Sequence, residues 1–268
     1  MKSNLNTYLL LTILLPTIGW SAGLEIPAYT DTAAVVSHHG FALEYAEPYE
    51  QARWVAYFLT PDRANGTLAR SGKFKSDPLV ATGSAKPSDY TKSGYDRGHL
   101  APAADMEWSE QSMNDCFFMS NMSPQAPSFN RGIWKTLEAQ VRTWAKQNDT
   151  EYIATGPILR DGLPTIGTDR VAVPEYYYKA IIVTLNGKKR GIGFILKNEG
   201  SQQSLQSFAV TIDSLKKITG IAFFPALPES LKNAIESHLD LTKWSFDNSE
   251  IKPRHHRSHS KTSLFGEK

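Results

Sequence analysis

Four runs rich in β-branched and aromatic residues constrain this chain more than any other feature: RWVAYFLT (53–60), EYIATGPIL (151–159), YYYKAIIVTL (176–185) and RGIGFIL (190–196). Such residues suit the pleated surface of a sheet, and Gly, Pro or Asn bounds the runs. The Asn186-Gly187 pair between the last two suits a two-residue hairpin turn, whose central residues need positive φ. One strong amphipathic helix is predicted over 129–148, FNRGIWKTLEAQVRTWAKQN, where Ile133, Leu137, Val141 and Trp144 recur at helical spacing opposite Lys135, Glu138 and Arg142. Strands interrupted by a few helices, without regular alternation, predict an α+β fold. Neither an internal repeat nor a long Gly/Ser/Pro linker occurs between 40 and 245, so one domain is expected over 24–245. Near its end LPESLKNAIESHLDL reads as a short helix.

The two ends differ from this middle. Lys2, then the apolar run from Tyr8 to Leu15, then Gly19, Ser21, Ala22 and Gly23, read as a signal peptide over 1–23 cleaved near 21–23, which predicts export to the periplasm or medium. The run is broken by Pro16 and is shorter than the roughly 20 apolar residues that span a bilayer, so no stable membrane association is expected after cleavage. Residues 246–268 are polar and carry Lys252, Arg254, Arg257 and Lys261 with His255, His256 and His259, a composition expected to stay disordered. The formal charge of +2 selects no partner by itself. Cys116 is the single cysteine, which excludes an intrachain disulfide, and its apolar neighbours predict a buried structural thiol.

The stretch SGYDRGHLAPAADM (93–106) places Asp96, Arg97, Gly98 and His99 side by side. It reads as a strand ending at His99, followed by a polar loop, a second apolar run CFFMSNMSP (116–124), and QAPSFN leading into the predicted helix. A strand, loop, strand and helix packed as one unit can bring His99 toward Asn130. Asn130, Trp134 and Glu138 share one broad helix face. Taken alone, the four residues also fit a surface ion pair, a turn glycine and a core histidine.

From Ser93 to Glu138 the sequence resembles the active-site signature of the sugar-non-specific, endonuclease G-like DNA/RNA endonucleases, which carry the His-Me finger (ββα-metal) motif. A weaker likeness runs from about 40 to 230, through RWVAYFLT, YIATGPIL, VAVPEYYYKAIIV and DSLKKITGIAFFP. The resemblance implies a mainly antiparallel central sheet flanked by helices. It implies His99 as general base, Asn130 as the one protein ligand of a divalent metal, and Arg97 as a phosphate contact. Glu138 would hold water beside the metal, Asn121 would support the site, and Arg70 would be a second phosphate-binding arginine. The implied cofactor is Mg2+, with Mn2+ or another divalent cation as substitutes. The implied partners are DNA and RNA, cut to 5′-phosphate ends, and relatives of this kind often form homodimers.

The residue types suit that chemistry. Histidine titrates near neutrality and can take a proton from water. Magnesium keeps several waters, so one amide carbonyl suffices as protein ligand. Arginine matches two phosphate oxygens with a planar fork. Gly98 is expected to let the backbone turn between Arg97 and His99. Asp96 would repel an anionic substrate, and is expected to orient an arginine or the backbone. Arg63, Arg70, Lys73, Lys75 and Lys92 form a docking patch or a solvated loop, while His38 and His39 have no assigned role. Phosphate contacts carry no base information, which predicts sequence-indifferent cleavage. A phosphodiesterase acting on another ester, or a non-catalytic nucleic-acid-binding module of the same fold, are the alternatives.

Overall fold

The computed structural model describes residues 23–29 and 31–246. The predicted signal peptide and basic tail therefore lie, but for Gly23 and Phe246, outside the described residues. The strands among those residues are β1 (Val35–Ser37), β2 (Ala42–Ala46), β3 (Gln51–Leu59), β4 (Asp96–His99), β5 (Met122–Gln125), β6 (Thr150–Pro157), β7 (Thr165–Ile166), β8 (Val171–Ala172), β9 (Tyr176–Leu185), β10 (Lys188–Lys197) and β11 (Ala209–Val210). The α-helices are α1 (Pro61–Ala64), α2 (Glu110–Asp115), α3 (Pro127–Phe129), α4 (Lys135–Gln147), α5 (Ile212–Thr219) and α6 (Glu229–Glu236). None of the described helices is long and apolar enough to cross a membrane.

Seven strands form one antiparallel sheet in the order β1-β2-β3-β6-β9-β10-β11. Side chains alternate between its faces, and both faces are covered. Val55, Tyr57, Ile153, Ile181 and Phe194 belong to the core that takes Leu137, Val141 and Trp144 of α4. Trp54, Ala154, Tyr178 and Ile182 meet Ile212 and Leu215 of α5 and Ile235 of α6 in a second core. Coverage on both sides explains why YYYKAIIVTL reads as an almost unbroken apolar run. Each fully buried Leu or Val of α4 contributes about 1.5–3 kcal/mol, which fastens the helix to the sheet. Leu24 and Ile26 join the second core, and the Ala28 amide donates to the Ala222 carbonyl at 2.9 Å, so residues 24–28 are already tied to the fold.

β4 and β5 form a separate antiparallel pair, and the chain then enters α3, a wide π-type turn over Asn130–Trp134, and α4. This is the predicted strand, loop, strand and helix, with two differences. The apolar run 116–124 is not one strand: Cys116 ends α2, Met119–Asn121 make a 3-10 turn, and pairing begins only at Met122. The predicted helix 129–148 is broken at Gly132, whose φ of −110° and ψ of −116° leave helical space, so the regular α-helix begins at Lys135.

Candidate active site

A hydrogen bond across 34 positions ties the start of the helical segment to β4. Asn130 donates from Nδ2 to Asp96 Oδ2 at 2.8 Å. An ionised carboxylate only accepts, so the amide nitrogen must face Asp96 and Asn130 Oδ1 is turned away, available to a ligand. Arg131 closes the other side of the same carboxylate, from Nε to Oδ2 at 2.8 Å and from Nη2 to Oδ1 at 2.6 Å. Partial burial pushes the Asp96 pKa up, but the bonds from Arg131 and Asn130 outweigh it and hold the group below the ordinary carboxylate value. Asp96 is thus an orienting residue as expected, and what it orients is the Asn130 amide.

Strand alternation puts Arg97 and His99 on one side of β4 and Gly98 on the other. The His99 ring meets Phe117 edge-on at 5.0 Å and Phe74 at 5.8 Å. Arg97 lies with its guanidinium 5.2 Å from the Phe74 ring centroid and donates from Nη2 to the Pro87 carbonyl at 2.7 Å. Arg70, exposed, lies 4.9 Å from the Phe117 ring centroid. Phe74 and Phe117 are therefore a common floor for the imidazole and two guanidinium groups. Among the described residues neither arginine pairs with a carboxylate, and His99 Nε2 is buried without a hydrogen-bond partner. Burial first, and the Arg70 charge second, lower the His99 pKa to about 3, so its imidazole is neutral at neutral pH. By the same alternation Asp96, with the Asn130 amide bonded to it, projects from the Gly98 side of β4, three strand residues or about 10 Å along the backbone from His99, and no hydrogen bond joins Asn130 to His99 among the described residues.

A family model for DNA/RNA non-specific endonucleases matches residues 24–230. The chain belongs to that family. It is 36% identical over 202 residues to the mitochondrial nuclease EXOG of Danio rerio, covering 69% of this chain and 59% of that one. Over 208 residues it is 33% identical to human mitochondrial endonuclease G, covering 72% of this chain and 70% of that one. The chain spans 59% of the length of the Danio rerio and Mus musculus EXOG relatives. Among solved structures, a crystal structure of an EndoG/EndoGI complex superposes with a TM-score of 0.70 at 29% identity, covering 75% of this chain and 89% of that one. The ββα-metal fold of the non-specific endonucleases is the fold described above.

Within this non-specific endonuclease fold, the other expected site residues occupy three kinds of place. Asn121 is fully buried and touches only backbone: its Oδ1 accepts from the Ala101 amide at 2.9 Å and its Nδ2 donates to the carbonyls of Ala101 and Cys116 at 2.9 and 2.8 Å. It clamps the residues just after His99 and is a positioning residue. Gly98 sits inside β4 and makes no turn: an added Cβ would fall 2.2 Å from Gln125 Cδ, so close approach of the facing strand is what requires glycine. The polar side of α4, opposite its apolar stripe, is partly buried among charged partners. Arg142 donates from Nη1 to Asp105 Oδ1 at 2.9 Å, and Tyr57 donates to Asp105 Oδ2 at 2.7 Å. Burial pushes the Glu138 carboxyl pKa up, against the attraction of Lys179, and burial pushes the Lys179 ammonium pKa down.

Asp105, Arg142, Lys179 and Gln125 were missed from sequence. The single Lys inside YYYKAIIVTL was the one visible signal, since a charge in a run buried on both faces requires partners. His38 is a core residue, its Nε2 2.8 Å from Asp77 Oδ2, while His39 lies exposed against Trp108 at 5.4 Å. Burial pushes the Cys116 thiol up to about 12, and it donates to the Met113 carbonyl at 3.2 Å, as befits an inert structural group. In the expected docking loop, Arg63 is sandwiched between Phe58 and Trp108 at 3.9 and 4.0 Å, whereas Lys73, Lys75 and Lys92 are exposed.

The donor set is that of a hard, hydrated cation. No three His, Cys, Asp or Glu side chains converge as a metal site among the described residues. What the site offers is one oriented amide carbonyl, Asn130 Oδ1, a donor that suits an ion retaining most of its water.

Proposed function

We propose that this chain is an exported, divalent-metal-dependent endonuclease that hydrolyses DNA and RNA without regard to base sequence, and that magnesium is its metal. The observation that carries the reading is the short strand Asp96–His99, which holds the Asn130 amide at one end and a neutral, unpartnered imidazole at the other. His99, through Nδ1 and not the buried Nε2, takes the proton of the attacking water, a role for which a neutral ring is required. Arg97 and Arg70, both without carboxylate partners among the described residues, bind non-bridging phosphate oxygens and oppose the charge that grows there. Asn130 Oδ1 would hold the cation, which when bound would supply positive charge opposite the phosphate and the departing 3′ oxygen. Asp96 fixes that carbonyl and Asn121 fixes the backbone behind His99, while Glu138, which faces Lys179, is the group that would hold water beside the metal.

None of these groups reads a base edge, which supports indifference to sequence. Export rests on the N-terminal residue pattern, and cleavage before Leu24 spares the segment that packs against the second core. The test is incubation of the purified protein with plasmid DNA and with RNA, in magnesium and in chelator. Degradation of both polymers in magnesium only is expected. Hydrolysis of small esters alone would assign a different substrate, and retention of DNA without cleavage would leave a binding module.

A further inference from the structure

The turn between β9 and β10 is the expected hairpin, with Asn186 and Gly187 at φ of 50° and 73°. It presents Lys188 and Lys189 beside Arg190 at the start of β10. These residues face the segment after α6, and an open cleft of about 450 Å3 lies between Lys189, Arg190, His238, Asp240, Lys243 and Trp244. Lys188 lines the adjoining wall with Lys189 and Lys243. The Arg190 guanidinium rests 5.0 Å from the Trp244 ring centroid and donates to Asn148 Oδ1 at 3.4 Å, so the cleft has a fixed cationic floor.

Outside the cleft, four described lysines pair with carboxylates, Lys86 with Asp169, Lys197 with Glu199, Lys216 with Glu236 and Lys232 with Glu229, while Lys73, Lys75, Lys92, Lys135, Lys146 and Lys217 are exposed without such a pair. In the cleft, Lys243 meets Asp240 at 3.4 Å, but Lys188, Lys189 and Arg190 have no carboxylate partner within ion-pair distance among the described residues. Net positive charge is therefore concentrated in a concave, polar surface. The chain beyond residue 250 is itself rich in Lys, Arg and His and does not complement it.

We propose that this cleft is a second docking site for the sugar-phosphate backbone of nucleic acid, remote from the cut. Asn148, which bonds Arg190, caps the C-terminal end of α4, whereas Asn130 precedes its N-terminal end. Thirteen helical residues separate those ends by about 20 Å. That distance corresponds to about six nucleotides along a duplex, so under this proposal only a polymer longer than that can engage both sites, and a trinucleotide engages one. The cleft gives the enzyme a preference for length and leaves the chemistry at His99 unchanged. This inference rests on the nuclease reading for the identity of its ligand.

The test compares the full chain with its Lys188→Glu, Lys189→Glu, Lys243→Glu triple variant. Binding of a fluorescent 30-base-pair duplex is measured by anisotropy in chelator, across a series of salt concentrations, and cleavage of a trinucleotide is measured in magnesium. The expected result is at least ten-fold weaker duplex binding, with the slope of log affinity against log salt reduced by about 2 to 3. Trinucleotide kcat/KM should stay within two-fold. Unchanged duplex affinity and slope would overturn the proposal, as would an equal loss on both substrates. Weakened duplex binding in a protein whose wild type cleaves nothing would retire the nuclease reading and leave the cleft a nucleic-acid dock.

Discussion

Replacing Asp96 by Asn perturbs the proposed metal ligand, Asn130, without touching it. In the wild type the carboxylate has no hydrogen to give, so the Asn130 amide has one orientation, nitrogen toward Asp96 and carbonyl outward. An asparagine at 96 offers a donor of its own, which lets the Asn130 carbonyl turn inward and bond to it. The lost preference is that of one charge-assisted hydrogen bond, about 1.5–3 kcal/mol. The same figure is a factor of about 13–160 in affinity for the cation, overlapping the roughly 10–100-fold loss seen when a group orienting a metal ligand is removed. The Arg131 pair broken by the same substitution adds little, because Arg131 is 72% exposed and such pairs contribute about 0–1 kcal/mol. The assay is cleavage rate against magnesium concentration for wild type, Asp96→Asn and Arg131→Gln. The half-saturating magnesium should rise about 10–100-fold in the first variant and no more than a few-fold in the second. An Asp96→Asn enzyme with the wild-type magnesium curve would refute the orienting role.

Three further outcomes follow from the same geometry. Removing the Arg70 charge in Arg70→Gln stabilises the His99 imidazolium, so its pKa rises from about 3 and the acid limb of kcat/KM moves to higher pH; a limb that stays put or moves down would contradict the assigned cause. Arg142→Met leaves the buried Asp105 carboxylate with Tyr57 as its one bonded donor and should cost about 3–5 kcal/mol, lowering the Tm by roughly 6–20 °C in a thermal melt. Asn130→Ala should abolish the response of cleavage to low magnesium while the protein still binds DNA in chelator, and normal turnover at low magnesium would remove Asn130 from the ligand role.

Local signals carried most of what could be read from the chain. The β3, β6, β9 and β10 runs, the Asn186-Gly187 turn and the apolar stripe of α4 depend on neighbours within a few positions, and each is found where the pattern places it. The short strand at Asp96–His99 is likewise local. What the pattern missed depends on partners far away in sequence. The buried charged partners of the polar stripe of α4 could not be read because Asp105 and Lys179, which face Arg142 and Glu138, lie 37 and 41 positions from them. The break at Gly132 escaped because hydrophobic spacing continues through it. Gly98 was assigned to a turn when its reason is Gln125 of the facing strand, a contact that only pairing register can reveal.

The most direct measurement is the turnover of His99→Ala on duplex DNA in saturating magnesium, with and without added imidazole. General-base catalysis by a positioned side chain contributes about 10²–10⁴-fold, so the variant should lose that factor, keep its fold and its DNA affinity, and regain part of the rate as imidazole fills the space on Phe74 and Phe117. A His99→Ala enzyme that cleaves at the wild-type rate would contradict the account at its centre.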